Sequence, residues 1–94
     1  MELRFWIDPE TDLPHIFNHG VTEEEVRQVL SRTGEEFPGS DRSRIRLGQT
    51  EVGRYLQVVY VLDEAGEAVF VVTAYDLSPK ARRGFRRRQR RKGK

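Results

Sequence analysis

Two runs rich in β-branched and aromatic residues dominate the chain, at residues 54–62 and 68–75. The connection between them, Asp63-Glu64-Ala65-Gly66-Glu67, has hairpin length and contains a glycine. Runs of this kind read as adjacent antiparallel strands. The second is nearly continuous in apolar residues, which predicts burial on both faces. Two strands alone are not stable in water, so the rest of the chain must extend and cover them. With 94 residues, there is room for one core and no second domain.

The flanking segments supply the cover. Leu3-Arg4-Phe5-Trp6-Ile7 reads as a short strand broken by Asp8-Pro9. Pro14 suits the first turn of a helix through His15-Ile16-Phe17-Asn18, and Gly20 is placed to end it. Thr22 and Glu25 have capping-box spacing, and Val26, Val29 and Leu30 then share one helical face as far as Thr33-Gly34. Beyond Pro38-Gly39 the period changes. Arg42, Arg44 and Arg46 alternate with Ser43, Ile45 and Leu47, so a strand there lines three guanidinium groups along one face. Ser78-Pro79 opens a terminal helix reaching about Arg91, with Phe85 as its apolar contact. The expected fold is α+β: two N-terminal helices packed on an antiparallel sheet of about four strands, followed by a basic C-terminal helix or tail. Trp6, Tyr55, Tyr60 and Phe70 are expected to serve mainly as packing.

Charge is segregated along the chain. Residues 1–79 hold all 15 acids against 7 basic residues, a balance of −8. Residues 80–94 hold 10 basic residues and no acid. Hence 1–79 reads as the folded domain and 80–94 as a cationic appendage. Arg82, Arg83, Arg86, Arg87, Arg88, Arg90 and Arg91 are its candidate phosphate contacts, giving steeply salt-dependent and weakly sequence-selective binding. Folding back onto the acidic body and docking on an acidic partner compete with that reading, and Phe85 alone is too little for a membrane face. Arg42 and Arg44 join the candidate nucleic-acid set, although a charged edge strand guarded against pairing has the same pattern. There is no cysteine, which excludes a disulfide scaffold, a thiolate metal site and a cysteine nucleophile. No apolar run is long enough to span a bilayer, and the amino terminus lacks a secretory pattern, so a cytoplasmic protein is expected.

Asp8-Pro9, nine intervening residues, then His19-Gly20-Val21-Thr22 and Glu24-Glu25 resemble the opening signature of the BrnT toxins, small proteins of the RelE/ParE-like superfamily. The likeness continues at Leu47-Gly48, at Gly53-Arg54 and in the last strand with its basic helix. A related small bacterial domain family with an H-x-x-x-H-G-[IV]-[ST] motif is also similar, and it matches Thr73-Ala74-Tyr75 better. The chain departs from the BrnT pattern at Asn18, Tyr75 and Asp76, each replacing a cation. The resemblance implies a toxin-like RNA-binding protein: a metal-independent ribonuclease of a type II toxin–antitoxin pair, without cofactor, acting on RNA and held by a cognate antitoxin. The alternative it leaves is a non-catalytic RNA- or ribosome-associated binding module that keeps the fold and has lost the active site. A plain protein-binding domain with a solubilising tail is a third reading.

Cleaving RNA without a metal needs proton transfer at a 2′-hydroxyl and a leaving oxygen, and donors for the developing phosphorane charge. His19 is the candidate acid or base, Arg54 and Arg46 the candidate charge stabilisers, and Tyr75 the orienting group or proton donor. For His19 the competing role is to bond carbonyls at a helix end. His15 and His19, four apart, have the spacing for a shared metal on a continuous helix, but no third ligand stands at a characteristic distance, and no metal is expected.

Overall fold

Residues 2–92 are described by the computed structural model of the protein; Gly93 and Lys94, which end the predicted basic segment, lie outside them. Strands β1 (Glu2–Phe5), β2 (Ile7–Asp8) and β3 (Leu13–Pro14) come first, then a 3-10 turn (His15–His19) and helix α1 (Glu23–Ser31). Strands β4 (Glu35–Pro38), β5 (Arg44–Gln49), β6 (Tyr55–Leu62) and β7 (Ala68–Asp76) follow, and helix α2 (Pro79–Lys92) closes the chain. The main sheet has the order β1-β7-β6-β5-β4, while β2 and β3 form a separate two-stranded hairpin.

The α+β class holds, but the expected arrangement needs correcting. Strands, not two helices, open the chain, and the main sheet is mixed because β1 runs parallel to β7. The parallel pair follows from connectivity. The segment after β1 carries the chain across one face to the far edge at β4, and three antiparallel steps then return it beside β1 in the same direction. The first expected helix is only a 3-10 turn. Pro14 precedes it, and Gly20 at φ 68° ends it after five residues, too few to establish an α-helical ladder.

Elsewhere the local signals operate as expected. The Thr22 side chain accepts from the Glu25 N–H, and the Glu25 carboxylate accepts from the Thr22 N–H. Val26 and Val29 are fully buried against Leu56, Val58, Val71 and Ala74. Because strand residues alternate in direction, Leu47 and Tyr55 point to the opposite face, where Phe85 and Leu77 of the α2 region cover them. The two helices therefore sandwich the sheet. The cover of α2 is partial, and Phe70 and Phe37 stay 39% and 43% exposed, so β7 is not buried on both faces.

Strand β4 had no strong signal in the sequence, since Glu35-Glu36-Phe37-Pro38 is charged and contains proline. An edge position tolerates both. The close approach of Gly34 to β5 matters here: a Cβ at Gly34 would lie 2.3 Å from the Leu47 carbonyl oxygen. Gly34→Ala is expected to cost about 1–3 kcal/mol by forcing β4 away. An unchanged thermal midpoint would show that the backbones have room.

Candidate active site

Strand β7 continues five residues past the end of its pairing with β1, which stops at Phe5–Val71. The 3-10 turn packs along that uncovered margin. Between Val59 and Tyr60 the β6–β7 register shifts, so Val72 is bulged. Bulges commonly re-aim side chains beside functional sites. Here Trp6, His15, His19, Val72, Thr73 and Tyr75 line an open groove of about 430 Å³.

The aromatic rings form a continuous edge-to-face series. Trp6 meets His15 at 5.3 Å, His15 meets His19 at 5.2 Å, and His19 meets Tyr75 at 5.7 Å between ring centroids. The chain has two histidines, and both stand in this groove. Asp8 lies behind His15. Its carboxylate accepts from the Glu10 N–H at 2.9 Å and from Asn18 Nδ2 at 2.8 Å, and meets His15 Nδ1 at 3.1 Å. The backbone N–H of Glu10, followed by His15 and Asn18, holds the Asp8 carboxyl below its usual range against the opposing effect of burial. An ionised carboxylate only accepts, so a proton on His15 Nδ1 satisfies this contact, and in that tautomer the neutral ring presents Nε2 as an acceptor; Asn18 Nδ2 lies 3.3 Å from the same Nδ1. This is the geometry of an oriented base. Tyr75 is oriented in turn: Gln57 Nε2 donates to its hydroxyl at 2.7 Å, leaving the phenolic hydrogen for another acceptor.

His19 and Tyr75, two of the four candidate catalytic residues, are thus neighbours in the groove, whereas Arg54 and Arg46 do not line it. The helix-end carbonyls, the competing role for His19, are taken by Arg54 instead. Its Nη1 donates to the Gly20 carbonyl at 2.8 Å and its Nη2 to that of His19 at 3.4 Å. The same guanidinium forks onto Asp76 at 2.8 and 3.0 Å and reaches Glu25 at 3.0 Å. All five of its N–H donors are therefore engaged within the protein. The bonds to Asp76, reinforced by Glu25 and opposed by burial, push its pKa upward. Burial disfavours ionised Glu25, but the Thr22 N–H and Arg54 outweigh it, and both Glu25 and Asp76 stay below the ordinary carboxylate range.

Arg46 is elsewhere. It lies on the α1 face of β5, opposite the side of Thr73 and Tyr75, where Nη2 donates to the Arg32 carbonyl at 2.6 Å and Nη1 lies 3.5 Å from Glu36. Arg44, on the same face, pairs with Glu36 at 3.1 Å, and the Tyr60 hydroxyl also donates to that carboxylate. Burial, then Glu36, pushes the Tyr60 hydroxyl up to about 12. Arg42 precedes β5 in a tight turn at φ 66°, so the expected three-arginine stripe reduces to two.

In α2, Arg82, Arg83, Arg86, Arg87, Arg90 and Arg91 are exposed and, among the described residues, none of them is in an ion pair. Spacings of four place Arg82, Arg86 and Arg90 in one row and Arg83, Arg87 and Arg91 in another. Arg88 alone folds back, forking onto Glu35 at 2.6 and 2.8 Å.

Sequence reasoning missed Asp8 as a partner of His15 and placed Trp6 in the core or over the sheet. The usable signal was Asp8-Pro9. An aspartate that bonds the N–H two residues on starts a turn, and this turn leads through β2–β3 directly to His15. Among the described residues no group of three His, Asp or Glu side chains is gathered as metal ligands, and no helix is long and apolar enough to cross a membrane. Compared with family models, curated proteins and solved structures, the chain matches none.

Proposed function

We propose that the protein is a metal-independent endoribonuclease of toxin type, acting in the cytoplasm and held in check by a cognate antitoxin. The observation that supports this reading is the pairing of the two histidines in one open groove, one of them fixed by a buried carboxylate. His15 Nε2 takes the proton of a 2′-hydroxyl, and the 2′-oxygen attacks the adjacent phosphorus. His19, as imidazolium, protonates the departing 5′-oxygen, and Tyr75 donates to a non-bridging oxygen. The products are a 2′,3′-cyclic phosphate and a 5′-hydroxyl. The exposed rows of α2 hold flanking phosphates.

A second reading has its own support. Among the described residues no lysine or arginine lines the groove, and Arg54 is fully engaged, which suits a module that binds RNA without cutting it. Incubating single-stranded RNA with the purified chain in chelator separates the two. Cyclic phosphate ends that vanish in His15→Ala and His19→Ala support the nuclease, whereas retained binding without cleavage leaves the module. Binding by α2 is tested separately by salt. Replacing Arg82, Arg86 and Arg90 with glutamine should lower the slope of log affinity against log salt by about 2–3. An unchanged slope would remove α2 from the interface.

A further inference from the structure

We infer that the groove beside the histidines is a pocket for one unstacked nucleobase, with Trp6 as its stacking face, so that the substrate is single-stranded. This deepens the ribonuclease reading and rests on it for the identity of the ligand. Trp6 is 40% exposed at the groove wall, yet its backbone is held on both sides. Its N–H donates to the Val71 carbonyl at 2.9 Å, and its carbonyl accepts from the His15 N–H at 2.9 Å. A ring presented to solvent on a fixed backbone costs little to order when a flat ligand docks. Val72 adds an apolar wall, and the volume of about 430 Å³ falls in the range of small-molecule sites.

The bulge shapes this wall, which Thr73 lines with its Oγ1 turned away from solvent and, among the described residues, without a hydrogen-bond partner. Thr73 and Tyr75 point to the same face of the sheet as α2, which packs over β5 and reaches Glu35 at the other edge. Bases of a duplex stay stacked and paired and cannot enter.

Trp6 is the chain's single tryptophan, so its emission reports this site alone. The full chain is titrated with an uncleavable single-stranded 2′-O-methyl oligonucleotide and with the corresponding duplex, while anisotropy of a labelled copy follows binding. The single strand is expected to quench Trp6, and the duplex to bind without quenching. Trp6→Leu should weaken single-strand binding about 10-fold and leave duplex binding unchanged. Emission that stays constant while anisotropy shows the strand bound overturns the pocket. Equal quenching by duplex, or Trp6→Leu binding as tightly as wild type, does the same. Because these probes are not cut, the outcomes separate. Quenching by a chain that never cleaves RNA retains the pocket and removes the nuclease, and cleavage without quenching does the reverse.

Discussion

His15→Ala is expected to lower kcat/KM on single-stranded RNA by about 10²–10⁴-fold, the ordinary contribution of one general base. Binding of an uncleavable strand should stay within about twofold, since imidazole removal leaves α2 and Trp6 in place. Asp8→Asn tests the orientation argument. An amide can present its NH₂ to His15 Nδ1 and so favour the wrong tautomer, with Nε2 protonated and no base facing the groove. Its activity should fall nearly as far as that of His15→Ala, with the fold intact by circular dichroism. Full activity in Asp8→Asn would mean that His15 does not act through Nε2 as a base.

Arg54→Ala is expected to cost about 2 kcal/mol of stability. The figure lies between the cost of breaking a buried pair and that of an exposed one, because Asp76 is 59% exposed while Glu25 is 21% exposed. For a domain of this size the thermal midpoint should drop by about 8–16 °C. Lysine should not rescue it, since one ammonium cannot fork onto Asp76 and reach Glu25 and two carbonyls together. The deficit should depend on pH. Glu25 and Asp76 sit below their ordinary values of 4.5 and 3.8, so their pairing with Arg54 contributes fully above those values and fades as pH falls through the lower folded-state values. The gap between wild type and Arg54→Ala should therefore narrow as pH falls below these ordinary values, leaving the contribution of the Gly20 and His19 carbonyls. A gap that stays constant as the solution is acidified would place the stabilisation outside these ion pairs.

The elements whose shape is set by neighbours in sequence were legible. The Thr22–Glu25 capping box, the valine face of α1, the β6–β7 hairpin and the Phe85 anchor of α2 all follow from spacing alone. What depended on distant partners was not. The direction of β1 shows only in its pairing with distant β7, and β4 forms by pairing with β5, where Glu36 meets Arg44, Arg46 and Tyr60. Arg54 shows the same limit at the site. Its spacing after Gly53 suggested a cation for phosphate, whereas its partners lie at Gly20, Glu25 and Asp76, up to 34 residues away. His19 and Tyr75 were named in one candidate set, but their contact, like that of Asp8 with His15, arises only in the fold.

The unequal lengths of β1 and β7 have a consequence for solubility. A bare strand margin offers its amides and carbonyls to any other chain, and natural sheets block such invitations. Here the blocking piece is the 3-10 turn that also carries both imidazoles. The two imidazoles and the protection against self-association are thus vested in the same five residues, so variants that loosen this turn face two penalties at once, a scattered histidine pair and an adhesive flank.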